Sequence, residues 1–155
     1  MIYNNLLINN RAYNKLINFY QQDKIQNAYI FHGNSGIGKE AHAIEFFALI
    51  NCKNPKENKS ACRECPSCQK ILSLQHELLN IILPLPRSKP IKRNDLDLKA
   101  LTETQIKSLS DQYKLKGNDP YYKIKLDKAH KILINSITGI KKNINLSIQE
   151  GKYKL

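Results

Sequence analysis

Four cysteines of this 155-residue chain fall within seventeen consecutive positions. Cys62, Cys65 and Cys68 are separated by two residues each, and Cys52 lies upstream of them. Four thiolates at such spacing form a closed tetrahedral zinc site that leaves no position for a catalytic water. The sequence therefore predicts one structural Zn²⁺ bound by these four residues. Free buried cysteines, a disulfide pair and an iron–sulfur site are the alternatives.

A glycine-rich loop precedes the cysteines. It fits the phosphate-binding pattern G-x-x-x-x-G-K, in which backbone N–H groups and a helix N-terminus surround phosphate oxygens. The candidate nucleotide-binding residues are Gly33, Asn34, Ser35, Gly36, Ile37, Gly38, Lys39 and Glu40. In this pattern Lys39 would reach the β and γ phosphates. A glycine turn that only joins a strand to a helix is the alternative.

The last position of the pattern departs from it. Ser or Thr is expected there, because its hydroxyl coordinates Mg²⁺, but the residue is Glu40. A carboxylate is longer and would be repelled by triphosphate oxygens, and it could pair with Lys39 instead. The sequence therefore favours a retained P-loop fold with weak or absent ATP binding. No catalytic residue is predicted.

Apolar periodicity gives the elements that position these residues. Helices are predicted at 10–22, at 39–50, from Pro66 to about residue 76, and at 130–147. The short apolar runs 28–31 and 79–83 predict buried strands of a parallel sheet. The order strand, glycine loop and helix is typical of the opening of an α/β phosphate-binding domain.

The segment 85–130 differs in composition from the rest of the chain. It is polar, and a single helix is predicted near its middle. Between positions 86 and 131, twelve Lys and Arg residues oppose six acidic ones, in a chain whose formal net charge is +12. Such charge permits contact with nucleic acid without demonstrating it.

Membrane insertion and secretion are not expected. No run of eighteen apolar residues occurs, and the N-terminus has no basic region followed by an apolar block. The chain is therefore predicted to be cytoplasmic. The four histidines (His32, His42, His76 and His130) have no metal-ligand spacing relative to the cysteines and are predicted to be ordinary surface or packing residues.

The combination of these motifs resembles the N-terminal domain of bacterial DNA polymerase III clamp-loader subunits. In that family of AAA+ proteins, a zinc module follows the P-loop helix, as Cys62–Cys68 follows the helix ending at Leu49–Cys52 here. The resemblance covers residues 1–84 and 131–155. Further segments that resemble the family are Asn27–Phe31, His76–Glu77, Ile134–Ile140 and Glu150–Lys154, the last being similar to the approach to the Walker B strand.

The resemblance implies an α/β fold of the P-loop NTPase (AAA+) class, with a three-layer parallel sheet that is incomplete at the C-terminus. Residues 1–155 would form one partial AAA+ domain containing a zinc module at 52–68 and a Lys-rich insertion at 85–130.

Glu40 favours the delta-prime branch of the family over the ATP-hydrolysing gamma/tau branch. The implied partners are the other clamp-loader subunits (gamma/tau and delta), with the sliding clamp and primed DNA contacted through the complex. The alternatives are an active clamp-loader ATPase and a stand-alone zinc-containing DNA-binding module.

Overall fold

The structure, a computed structural model, describes residues 1–144, which form five α-helices and one 3-10 helix. The α-helices are α1 (Asn10–Gln21), α2 (Lys39–Ile50), α3 (Pro66–Leu72), α4 (Glu103–Asn118) and α5 (Ile134–Ile144), and the 3-10 helix is Asp97–Ala100. The helices predicted at 10–22 and 39–50 are confirmed. The helix that begins at Pro66 ends earlier than predicted. The end of the last predicted helix and the segment Glu150–Lys154 lie outside the described residues.

The two predicted strands are wrong for this part of the chain, because no strand forms between residues 1 and 144. A strand requires hydrogen bonds to a neighbouring strand, and the runs 28–31 and 79–83 do not pair in this way. The first run instead packs on a helix, where the Tyr29 ring meets the Phe46 ring edge to face at 5.3 Å. Ile30, predicted to be buried in a sheet, is 91% exposed. The three-layer parallel sheet is therefore not formed by the described residues.

Helix α2 is the central element of the fold. Eight of its twelve residues are buried, on all sides of the helix, as expected for a helix that is covered on every face. Its apolar side chains join the main core, which also contains residues from the N-terminal segment and α3. Helix α1 covers one side of α2 through Tyr13 and Leu16, which cluster with Phe46.

The N-terminal segment is fixed to α2 by a buried carboxylate. Glu45 is fully buried, and its two oxygens accept hydrogen bonds from the backbone N–H groups of Ile2 at 2.9 Å and Tyr3 at 2.5 Å. Burial raises the pKa of Glu45 above its ordinary value, and these two hydrogen bonds only partly offset that effect. The carboxylate thus determines where the first residues lie.

The segment 85–130 is tied to the rest of the molecule through α4. Thr102 and Gln105 form a reciprocal capping box at the start of this helix. Leu85, Leu101 and Leu109 form a small apolar cluster of their own. At the other end of α4, Gly117 lies so close to α3 that a Cβ atom there would be 2.4 Å from the carbonyl oxygen of Leu72. No helix within residues 1–144 has the length and apolar character needed to cross a bilayer.

Candidate functional site

The glycine loop leads directly into the first turn of α2, as the sequence predicts. Gly38 is the N-cap residue of α2 and has a φ of +75°, a left-handed conformation that favours glycine. A Cβ atom at Gly38 would also lie 2.8 Å from Leu6 and 3.1 Å from Tyr121. Glycine is therefore required here both by conformation and by the close approach of two neighbouring side chains.

Lys39 folds back across the loop. Its Nζ atom donates hydrogen bonds to the carbonyl oxygens of Gly33 at 2.9 Å and Asn34 at 2.7 Å. The side chain that the pattern assigns to phosphates thus closes the loop on itself. Another ligand of Lys39 would have to compete with these two carbonyl oxygens.

Glu40 forms an ion pair with a residue that the sequence did not single out. Its Oε2 atom lies 3.0 Å from Nζ of Lys116, in α4. The pairing with Lys39 considered from the sequence is not formed. The reason is that the C-terminal end of α4 lies beside the first turn of α2 and brings the buried ammonium of Lys116 to the carboxylate.

A second lysine and a tyrosine from the same segment also meet the loop. Lys123 Nζ donates to the hydroxyl of Ser35 at 2.6 Å. Tyr121 lies against Gly38, and its hydroxyl accepts a hydrogen bond from the backbone N–H of Leu7 at 2.9 Å. The cavity that touches Ser35, Gly36 and Gly38 has a volume of about 190 Å³, below the roughly 300–1,000 Å³ typical of small-molecule sites. A second cavity, of about 480 Å³, is lined by Glu40 and Lys123 with residues 83–84, 124–126 and 129.

The four predicted metal ligands are brought together at the far end of α2. The Sγ atoms of Cys52, Cys62, Cys65 and Cys68 all lie within 4.8 Å of one another. Zn–S bonds of about 2.3 Å place the sulfurs of a tetrahedral site about 3.8 Å apart. The Sγ atoms of Cys62 and Cys68 are separated by 3.8 Å. The described cysteines form no disulfide, so the geometry favours a metal over the disulfide alternative.

Local structure explains how the cysteines converge. Cys52 directly follows Asn51, the C-cap of α2, while Cys65 is the N-cap of α3, and Cys68 lies in that helix. Between the thiols, Arg63 adopts a left-handed φ of +71°. The tight turn at Arg63 is what folds Cys65 back toward Cys62.

Backbone N–H groups surround the thiol of Cys62. The N–H groups of Glu64 and Cys65 donate to its Sγ at 3.4 and 3.3 Å. Burial disfavours the thiolate of Cys62, but these donors, together with hydrogen bonds from the side chains of Cys52 and Cys65, outweigh it and lower its pKa to about 6. Burial raises the pKa of Cys68, which is fully buried. Four cysteines in so small a volume would all be ionised only around a cation, and a set of four thiolates is one that Zn²⁺ prefers.

The histidines lie outside this cluster, as predicted. His42 joins the glycine loop to α1, since its Nδ1 lies 2.7 Å from the carbonyl oxygen of Gly38 and its Nε2 accepts from the N–H of Asn9 at 3.2 Å. His76 is buried beside the Ser67 hydroxyl, with its ring edge to face against Phe47. Among residues 1–144, the only clustered group of three or more potential metal ligands is the four cysteines.

Helix α2 therefore separates two sites. The glycine loop lies at its N-terminus and the cysteine cluster at its C-terminus, and twelve helical residues span about 18 Å. The sequence predicts both sites. It does not predict Lys116, Tyr121 and Lys123, because their contacts with the loop are set by how α4 packs.

Comparisons with known proteins identify the family to which the chain is similar. The family model described as "DNA polymerase III, delta subunit" matches residues 8–155. A DNA polymerase III subunit delta' from Pseudomonas aeruginosa is 35% identical over 65 residues, covering 42% of this chain and 20% of the relative. The subunit delta' of Bacillus subtilis is 25% identical over 118 residues, covering 74% of this chain and 30% of the relative.

A third relative comes from the other branch of subunits. The DNA polymerase III subunit gamma/tau of Mycoplasma pneumoniae is 29% identical over 130 residues, covering 83% of this chain and 17% of the relative. The chain thus spans less than a third of the length of each of these curated relatives. No solved structure matches the chain. Because the family model matches nearly its whole length, the chain belongs to the family described as DNA polymerase III, delta subunit.

Proposed function

We propose that this chain acts in DNA replication as a delta'-like clamp-loader subunit, which helps to place the sliding clamp on primed DNA without hydrolysing ATP itself. The family match and the relatives named delta' and gamma/tau support the clamp-loader role. Its partners would be the gamma/tau and delta subunits, with the clamp and the DNA contacted through the complex.

The observation that carries the non-hydrolysing role is the ion pair of Glu40. Hydrolysis by a P-loop requires a Ser or Thr hydroxyl on Mg²⁺ at this position. The residue here is a carboxylate, and a lysine already neutralises it at 3.0 Å. Gly33–Lys39 would retain the shape of the P-loop without supplying the magnesium ligand, so that the chain would serve as a fixed member of the subunit ring.

The four cysteines would hold one structural Zn²⁺. A zinc ion bound by four thiolates supplies a cross-link and no reactive position. Here it would fasten the end of α2 to the start of α3, across the polar loop 53–59, which is fully exposed. This loop has little apolar material, so metal binding would contribute directly to its folding.

The test of the proposed function is assembly with the other subunits of the same organism. The chain, purified and mixed with gamma/tau and delta, is expected to co-elute with them in size-exclusion chromatography. Alone, it is expected to show no ATP turnover. Turnover that is abolished by Lys39→Ala would instead establish a gamma/tau-like ATPase.

Two further measurements separate the remaining alternatives. Elemental analysis is expected to find about one Zn²⁺ per chain, and a chain purified without metal that melts at the same temperature would contradict the structural role. Failure to assemble, combined with steeply salt-dependent binding of DNA by the chain alone, would support a stand-alone DNA-binding module.

A further inference from the structure

Lys116 is a buried cation that is fully satisfied by oxygen atoms. Its side chain is only 2% exposed. The Nζ atom donates to the carbonyl oxygens of Pro120 and Tyr122, each at 2.9 Å, and pairs with Oε2 of Glu40 at 3.0 Å. An ammonium group has three N–H donors, so these three oxygens use all of them. Lys116 is therefore held in one position.

The partner of this cation occupies a special place in the glycine loop. Glu40 stands where the P-loop pattern has the hydroxyl that coordinates Mg²⁺. In this chain the group at that position binds the ammonium of Lys116. A magnesium ion at the same carboxylate would be repelled by the positive charge of Lys116. This ammonium cannot move away without leaving the carbonyl oxygens of Pro120 and Tyr122 without their hydrogen bonds.

The residues that follow Lys116 cover the rest of the loop. Tyr121 lies against Gly38, where a Cβ atom would be 3.1 Å from its ring. Lys123 Nζ donates a hydrogen bond to the hydroxyl of Ser35 at 2.6 Å. Residues 116–123 thus contact the loop at three positions, and the cavity between them and the loop glycines is about 190 Å³. The larger cavity that reaches Glu40 and Lys123 has no loop glycine in its lining.

We propose that residues 116–123 close the glycine loop against magnesium nucleotides, with the ammonium of Lys116 in place of the divalent cation. This proposal rests on the glycine loop being a phosphate-binding loop, as proposed above. Lys116 excludes the metal and Tyr121 excludes the phosphates, so both determine what the loop can bind. The loop is then a structural joint that keeps one shape in the presence or absence of nucleotide.

The first test is the binding of a fluorescent ATP analogue with Mg²⁺ by the full chain. The wild type is expected to bind it more weakly than about 1 mM, the upper end of ordinary substrate affinities. A variant that combines Glu40→Thr, Lys116→Met and Tyr121→Ala restores the hydroxyl and removes the closure. It is expected to bind at least tenfold more tightly than the wild type.

Lys114→Met is the matched control for this titration, because Lys114 is an exposed lysine of the same helix. It is expected to bind as weakly as the wild type. Tight magnesium-dependent binding by the wild type would overturn the proposal. So would a combined variant that retains the wild-type circular dichroism spectrum and binds no more tightly than the wild type.

The second test needs no nucleotide and no partner subunit. Glu40→Gln, Lys116→Met and the double variant form a double-mutant cycle in urea unfolding. Either single substitution breaks the ion pair, and the second substitution cannot break it again. We therefore expect the effect of the double variant on the unfolding equilibrium constant to differ by about tenfold or more from the product of the two single effects. Additive effects would overturn the role of the pair. Since assembly with gamma/tau and delta is measured separately, failure of the proposed function is distinguishable from failure of this closure.

Discussion

Gly117 provides a sharp test of how α4 is attached to the rest of the molecule. Within a helix, replacing glycine by alanine is stabilising by up to about 1 kcal/mol, because alanine has the better helix propensity, and Gly117 lies in the last turn of α4. At Gly117 the added methyl group would lie 2.4 Å from the carbonyl oxygen of Leu72, at the C-terminal end of α3. The substitution Gly117→Ala therefore sets helix propensity against packing.

The structure gives the size of the two effects. An ordinary contact begins at 3.4 Å, so α3 and α4 would have to move apart by about 1 Å to accommodate a Cβ atom there. Overpacking of this kind costs about 1–3 kcal/mol, and the upper part of that range applies because the obstructing atom belongs to the backbone. After the gain in propensity, we expect Gly117→Ala to lower the free energy of unfolding by about 1–2 kcal/mol. For a domain of this size that corresponds to a melting temperature lower by roughly 2–8 °C.

Gly139→Ala is the matched control. Gly139 lies in α5, and a Cβ atom there would meet no atom of the described residues within 4 Å. This substitution is expected to raise the melting temperature by roughly 2–4 °C, the full effect of helix propensity. Thermal unfolding followed by circular dichroism measures both variants. If Gly117→Ala is as stabilising as Gly139→Ala, α4 does not approach α3 as described.

Three further predictions concern the cysteine site, the buried carboxylate and the start of α4. Cys68→Ser removes a fully buried thiol and is expected to lower both the zinc content and the melting temperature. Ser73→Ala, just beyond the same helix, is expected to leave the zinc content unchanged. Burial raises the pKa of Glu45, so the folded state binds its proton more tightly than the unfolded state, and stability falls as pH rises above about 4.5 through the folded pKa. In urea titrations between pH 4.5 and 7.5, the free energy of unfolding of Glu45→Gln is therefore expected to rise relative to that of the wild type as the pH increases. A difference between the two proteins that stays constant over this range would contradict the effect of burial. Thr102→Ala removes the capping box and should lower the free energy of unfolding by about 1 kcal/mol. Ser110→Ala, on the exposed face of α4, should change it little, and urea unfolding at one pH measures both variants.

The sequence predicts the helices well because their signals are local. The bounds of α2 follow from apolar residues at helical spacing between Gly38 and Asn51. The start of α3 follows from Pro66, whose ring suits the first turn of a helix. The clustering of Cys62, Cys65 and Cys68 was also predictable, because two-residue spacings keep the three thiols close together, whereas Cys52 joins them through the position of the end of α2.

The strands could not be predicted reliably, because an extended run becomes a strand only through a partner. Ile30 looks like a buried strand residue in the sequence but is exposed in the structure. Tyr29 obtains its contacts from Phe46 on α2 instead of from a sheet. Short apolar runs of this kind are compatible either with a strand in a sheet or with an extended segment packed on a helix, and tertiary contacts determine which one forms.

The contacts of the glycine loop were beyond sequence reasoning for a different reason. Lys116 is one of twelve Lys and Arg residues between positions 86 and 131, and nothing local distinguishes it from exposed neighbours such as Lys114. Its burial depends on the position of α4, which depends in turn on the close approach of Gly117 to Leu72. The partner of Glu40 therefore could not be predicted from the sequence.

The pair of Glu40 and Lys116 also changes how the loop depends on its surroundings. A metal ion drawn from solution occupies its site in proportion to its concentration and affinity. An ammonium carried by the same chain is present at an effective concentration in at least the millimolar range, set by its tether alone. Chelators and changes in the supply of magnesium or nucleotide would leave this counter-ion in place. The loop would then keep one shape whatever the composition of the solution around it.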